Sequence, residues 1–307
     1  MRLGKGCLLL TTLAAISSGC EGRAVKGHTV VPPAQIPVAK DATREELLDA
    51  YNLIARSTKT LNATVELKPT AGSKYSGVID EYHEVKAFLL AARPAEIRMI
   101  GQAPVIGKTV FDMASDGETF RVSIPSKNKF LVGPVAVERN SAKPIENLRP
   151  QHLLDALLWP EIRKEEAVTL KEFNDEKGRH YVLTVLRGGY QVEVLREIWF
   201  DRADLQVVRM QTFGPKGSLV SDVSFADWQP LDSAAGQNTA TPTPPAVGVS
   251  SFPRTIRIER PHDDYKLEMQ VTKVTLNEEV PAERFKLEQP AGAELVHVGD
   301  AAENRPQ

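Results

Sequence analysis

A chain of 307 residues with 42% hydrophobic and 25% charged side chains has ordinary globular composition, enough to build a full core in one large domain or two small ones. Its formal net charge of -2 gives neither a nucleic-acid footprint nor a polybasic membrane patch. Both cysteines, Cys7 and Cys20, precede Glu21, so the rest of the chain has no thiol for a disulfide, a zinc site or a nucleophile.

Arg2 and Lys5 make a short basic start, Cys7 to Ile16 an apolar run, and Ser17-Ser18-Gly19-Cys20 a small-residue exit, the pattern of a secretory signal over residues 1–19. The run is too short to span a bilayer, which needs about 20 residues. The exit resembles the bacterial lipobox, in which cleavage leaves the cysteine carrying diacylglycerol and an N-acyl chain, although Ser17 stands where leucine is usual. Cys20 is therefore the expected lipidation site. An ordinary cleaved signal with a free cysteine is the alternative that the residues leave open.

Residues 20–42 combine the lipidated cysteine with a flexible tether containing Pro32, Pro33 and Pro37. Thr43 followed by Glu46 is a capping-box pattern, and Leu47, Tyr51 and Ile54 recur at helical spacing, which predicts a helix of three to four turns. Leu61 to Leu67 then alternates apolar and polar residues without a miss, the period of a strand with one wet face. Tyr75 to Ala92 reads as two ladder segments with a bend near Gly77 or a bulge further on, broken at Arg93-Pro94. Ala95 to Gly101, Gly107 to Ala114, Thr119 to Ile124 and Asn128 to Val132 continue a meander, with turns at Asp116-Gly117 and Pro125 to Lys127.

From Pro150 to Trp159 the period changes. Leu153, Leu154, Leu157 and Leu158 form an apolar stripe, Pro150 suits a first helical turn and Pro160 stops it. Strands resume at Ala167 to Phe173, Arg179 to Arg187, Tyr190 to Asp201, Leu205 to Phe213 and Leu219 to Trp228. Residues 232–250 are Ala, Gly, Thr and Pro with almost no large side chain, which predicts a flexible insertion, and strands follow at Arg254 to Glu259 and Tyr265 to Thr275. Residues 291–307 read as a disordered tail. The fold expected is mainly β, of the α+β kind: a single curved antiparallel sheet with the N-terminal helix and the short helix packed in its concave face.

Arg93-Pro94, Pro104, Ser115 to Phe120, Pro125, Phe130, Tyr265-Lys266-Leu267 and the spacing of Pro281, Phe285, Leu287 and Pro290 carry a resemblance to the LolA/LolB superfamily of bacterial lipoprotein carriers and receptors, over about Thr43 to Gln289. The resemblance implies an eleven-stranded, unclosed half-barrel lidded by helices, with acyl chains held in an apolar cavity and no catalysis. Because the receptor is itself a lipoprotein, Cys20 puts the chain on the receptor-like side; the insertion at 232–250 departs from both members. Arg93 matches the carrier's arginine that bonds the lid helix and helps to gate the cavity, against the plainer reading of a surface arginine at a strand end. Val105 and Ile106 lie where the receptor has a protruding apolar loop that touches membrane, against the plainer reading of two strand residues.

The four leucines of the short helix need cover, since burying each contributes about 1.5 to 3 kcal/mol. They are the expected lid, with Arg93 as its gate. Met99, Phe111, Met113 and Phe120 are candidates for the cavity wall opposite, though alternation settles only that Phe111 and Met113 share a face. The six histidines lack metal-ligand spacing, and His262-Asp263-Asp264 reads as a turn. No phosphate loop, nucleophile elbow or zinc signature occurs, so neither a metal nor a cofactor is expected. The function expected is a membrane-anchored envelope lipoprotein that binds acyl chains or lipoproteins, a monomer whose partners are the membrane lipid reached through Cys20 and the acyl chains of other lipoproteins, with no nucleic acid. Glu21 rather than Asp follows Cys20, which favours the outer membrane, facing the periplasm. The competing expectation is a structural or interaction lipoprotein that uses the same fold without a ligand.

Overall fold

A computed structural model describes residues 37–73, 78–135, 149–175, 178–189, 191–231 and 249–298. The signal, Cys20, the tether up to residue 36, the bend expected at Gly77, the insertion between 232 and 248, and residues 299–307 lie outside the described residues.

Helix α1 (Arg44–Ser57) begins where its capping box places it. The Thr43 hydroxyl accepts from the Glu46 amide at 3.2 Å, and the Glu46 carboxylate accepts from the Thr43 amide at 2.8 Å, so two otherwise orphaned donors are satisfied. The chain then forms β1 (Thr60–Ser73), β2 (Val78–Glu81), β3 (Val85–Ala92), β4 (Glu96–Gln102), β5 (Thr109–Ser115), β6 (Thr119–Ile124) and β7 (Lys129–Pro134). Helix α2 (Pro150–Leu157) follows, then β8 (Ala167–Asn174), β9 (Arg179–Arg187), β10 (Glu193–Asp201), β11 (Val207–Phe213), β12 (Leu219–Pro230), β13 (Ser251–Arg260), β14 (Tyr265–Leu276) and β15 (Glu294–His297).

All these strands belong to one curved, unclosed sheet in the order β15-β7-β6-β5-β4-β3-β1-β14-β13-β12-β11-β10-β9-β8, with β2 beside the far end of β1. Two antiparallel meanders meet where β1 pairs with β14, Leu61 opposite Leu276 and Ala71 opposite Tyr265. Turn chemistry fixes the register locally. At Asp116-Gly117 the carboxylate accepts from the Glu118 and Thr119 amides at 3.0 and 2.7 Å, and Gly117, at φ +94°, adopts a conformation that favours glycine. Across the insertion β12 and β13 pair directly, Pro230 with Ser251, so it interrupts a hairpin rather than a domain.

One face of the sheet carries the core. Val65, Leu67, Leu89, Ile97, Met99, Leu183, Ile198, Ile256 and Met269 pack there against Leu47, Tyr51 and Ala55 of α1 and the leucines of α2. Because β7 and β8 lie at opposite sides of the sheet, the connection that contains α2 crosses between them, which brings a short apolar helix onto the core face.

Two expectations need correction. Among the described residues the sheet has fifteen strands rather than the eleven that the resemblance implies. Residues 291–298 are also ordered, not part of a disordered tail, because the edge of β7 offers unpaired backbone groups. The Glu294 amide donates to Asn128 O at 2.8 Å and the Val298 amide to Val132 O at 2.7 Å, which makes β15 a parallel neighbour of β7 in an otherwise antiparallel sheet. The chain reaches that edge by strapping across the outer face. Arg98, paired with Asp112 at 2.8 Å, donates to the carbonyls of Arg284 and Lys286 at 3.1 and 2.9 Å, and Phe285 packs on Leu90 and Ala92.

Candidate lid and binding face

Helix α2 has eight residues and no side-chain N-cap; Pro150 at its first position lacks an amide that would otherwise stand unpaired. Leu153, Leu154, Leu157 and Leu158 are all buried. The stripe expected of a lid is therefore seated on the sheet. Beneath and beside it lie Met99 and Met113, opposite one another on β4 and β5, with Phe111 packed over Gly101, where any Cβ would meet its ring at 2.3 Å. Phe111, Met113 and Ser115 share the inner face. Phe120 is buried as well, under the Arg149 guanidinium at 4.7 Å from the ring centroid.

The segment after α2 is gripped by four side chains. Arg93 Nη2 donates to Trp159 O at 2.7 Å, the Tyr51 hydroxyl to Pro160 O at 2.9 Å, Arg196 Nη2 to Glu161 O at 3.4 Å and Asn52 Nδ2 to Ile162 O at 3.0 Å. Asn52 Oδ1 also accepts from the Ile162 amide at 2.9 Å, so this buried side chain pairs with the backbone as a strand would. Arg93 further donates to Ala55 O and Thr58 O at 2.7 and 2.9 Å, the last carbonyls of α1. One guanidinium thus joins the C-terminal ends of both helices, the favourable end for a cation. Trp159 stacks on Tyr51 at 5.5 Å and meets Phe225 at 5.2 Å, closing the core beyond the helix.

At the other end of α2 polar contacts reach the sheet. Ser115 Oγ donates to Gln151 Oε1 at 3.1 Å, and His152 Nδ1 lies 2.7 Å from the Tyr265 hydroxyl with the two rings stacked at 6.2 Å. Burial, then the charges of Arg260 and Arg149, hold the His152 imidazole well below its ordinary basicity. Burial likewise pushes the Tyr265 phenol up, so it stays protonated and serves as the donor of that bond.

Among the described residues no open cavity lies under α2: its leucines and the side chains of α1 pack into one core. An apolar void of about 20 Å³ remains between Ile54, Leu157, Trp159, Trp228 and Phe252, far short of the several hundred Å³ of a ligand pocket. A hollow of about 570 Å³ lies elsewhere and is charged, its lining tied into the ion pairs Lys68–Glu84, Arg257–Glu268 and Lys266–Glu259. It offers nothing to an acyl chain.

Val105 and Ile106 sit in the turn between β4 and β5 and are 96% and 73% exposed. They are not strand residues, because the ladder ends at Gln102 and Thr109 and the turn closes on itself through Gly107 N to Ala103 O at 3.0 Å. Phe88 and Val110 are further exposed apolar residues of β3 and β5. His262 to Asp264 form the β13–β14 turn, where Asp263 pairs with Arg260, and among the described residues no three metal-ligating side chains come together.

Sequence reasoning missed Asn52, His152, Arg196 and Tyr265. Asn52 left a trace, as the one polar residue beside the apolar stripe of α1; the other three act through partners more than 35 residues away, or in a loop, and leave no local signal.

No protein-family model matches the sequence, and no curated protein matches it. Among solved structures the chain is similar to a LolA superfamily protein from Nitrosomonas europaea, at 12% identity and TM-score 0.44 over 80% of this chain and 99% of that one. It is also similar to a DUF1329 family protein from Desulfovibrio piger, at 13% identity and TM-score 0.48 over 78% and 94%. A third is a domain named for outer membrane lipoprotein sorting, from Vibrio parahaemolyticus, at 12% identity and TM-score 0.43 over 74% and 89%. These similarities concern architecture alone, here a curved, unclosed sheet with two helices on one face, and assign the chain to no family.

Proposed function

We propose that the chain is a non-catalytic envelope lipoprotein, anchored through acyl chains on Cys20 at the outer membrane facing the periplasm, whose half-barrel takes up acyl chains of lipids or of other lipoproteins beneath α2. The observation that supports this best is the make-up of the interior. A helix with four buried leucines rests on a core that includes Met99, Met113, Met210 and Met269, every methionine after Met1. Methionine repacks around variable apolar shapes at little cost. Lifting four leucines forgoes about 6 to 12 kcal/mol, which roughly 8 to 15 buried methylenes of a ligand offset, the length of one ordinary acyl chain. In this reading the filled interior is the closed, unloaded state.

A second reading is favoured by the void of only about 20 Å³: a structural or interaction lipoprotein whose interior is permanently filled. Titration with a fluorescent fatty acid separates the two. The carrier reading expects binding by wild type and a changed affinity or release rate in Arg93→Leu, with folding nearly intact. The filled reading expects no binding in either. Native mass spectrometry for a co-purified lipid is the companion measurement, and Cys20→Ser should release the protein from membranes. A Cys20→Ser chain that stays with membranes, alongside a wild type whose intact mass shows no lipid, would refute the anchor.

A further inference from the structure

The two ends of α2 are held by different means. Beyond its C-terminus, four consecutive carbonyls from Trp159 to Ile162 are each taken by a side chain from α1, β10 or the β3–β4 turn. At its N-terminal turn the contacts to the sheet include Ser115–Gln151, His152–Tyr265 and the Arg149 guanidinium over Phe120. We propose that α2 is a swinging lid, hinged at residues 159–162 and latched by His152 on Tyr265, and that acid opens the latch. This rests on the lid reading above and adds the device that regulates it.

The surroundings of His152 set the direction. From its own turn come Arg149 and Gln151, with Asp155 one turn on, its carboxyl pushed up by burial against the opposing pull of Arg260 and Arg196, a shift that works against acid opening. The β13–β14 hairpin brings Arg260, Asp263 and Tyr265, with Asp263 already committed to Arg260. β5 brings Ser115, and β4 turns only apolar groups, Ile97 and Met99, toward the core. A neutral imidazole accepting the phenol's hydrogen suits this site. An imidazolium there is half-buried between two guanidiniums, which disfavours it against the hydrated imidazolium of an open lid. The closed state therefore keeps its full advantage above the ordinary histidine value of 6.5 and loses it as pH falls below that value. One proton is taken up on opening, so the opening constant rises by up to about tenfold per pH unit.

Amide hydrogen exchange of the full-length chain, corrected for its intrinsic pH dependence, reads this constant directly and requires no ligand. Between pH 7.5 and 5.0 the α2 amides should open progressively more, approaching about tenfold per unit below 6.5, while the α1 amides stay unchanged. His152→Gln should make the α2 profile flat. Arg260→Gln, which retains the histidine but removes a flanking charge, should shrink the total rise and serves if His152→Gln does not fold. A flat wild-type profile, or a slope that survives in His152→Gln, overturns the latch. A chain that binds no fatty-acid probe yet shows the His152-dependent slope would refute the carrier reading and support the latch, so the two can fail separately.

Discussion

Helices α1 and α2 share one face of one sheet and are built by opposite means. α1 has fourteen residues, its own capping box, acidic residues in its first turn and Arg56 in its last, so its N-terminal end is satisfied from within while Arg93 and Asn277 take carbonyls at its C-terminal end. α2 has eight residues, no side-chain cap and no charge at either end suited to its dipole; its ends are held by Arg93, Asn52, Tyr51, Arg196, Ser115 and Tyr265, all from elsewhere. A helix this short is not stable alone. The difference teaches that equal burial does not mean equal permanence: α1 belongs to the wall, whereas α2 stays only while its distant partners hold it.

The largest expected effect tests that distinction directly. Leu47 and Leu153 are both fully buried, and Leu47→Ala should lower global stability by about 2 to 5 kcal/mol. Leu153→Ala, the same chemical change, should appear mainly as faster amide exchange in α2 with most of the chemical-denaturation midpoint retained. Equal global losses would make the helices equivalent and remove the basis for a lid. Next in size, Asn52→Ala strands the buried amide and carbonyl of Ile162 and should cost about 1 to 3 kcal/mol in urea unfolding, whereas Gln151→Ala, at the freer end, should cost less than about 1 kcal/mol.

Capping gives a smaller contrast and a pH window. Thr43→Ala should cost about 0.5 to 2 kcal/mol and loosen only α1. The Thr43 amide and hydroxyl hold the Glu46 carboxylate below its ordinary value of 4.5, so the capping box is intact above that value and is lost as pH falls through the lowered one. The latch of α2 weakens from 6.5 downward. Between those two values exchange should rise in α2 alone, and a parallel rise in α1 would show that acid is loosening the whole domain. The smallest effect on stability lies outside both helices. Val105→Glu with Ile106→Glu should leave the melting temperature nearly unchanged, because neither residue is packed, while weakening association with phospholipid vesicles if the tip enters lipid.

The parts of the fold legible in the sequence were those with local physics. The α1 box, the Asp116-Gly117 turn, the run from Thr119 to Ile124 and the stripe of α2 each carry their signal within a few residues. β15 was missed because a four-residue strand paired in parallel to a distant edge has no period or turn of its own to announce it. The filled interior was equally hidden, since alternation identifies which side chains share a face but not which face is inner or whether side chains from distant strands meet. Arg93 was expected at the lid through the resemblance alone; in the structure it joins the C-terminal ends of both helices, a role that no local pattern announces.

The pairing of β1 with β14 has a consequence for how the protein is made. The central seam of the sheet joins Leu61 to Leu276, so its two sides are separated by most of the chain, and nothing synthesised early can complete the middle of the sheet. Folding that depends on such distant contacts is slow, because the loop must close before any contact rewards it. A ribosome adding about 5 to 20 residues per second holds the N-terminal meander without its neighbour for several seconds or more. The centre of the sheet is therefore the last part that can form, after both meanders have been made.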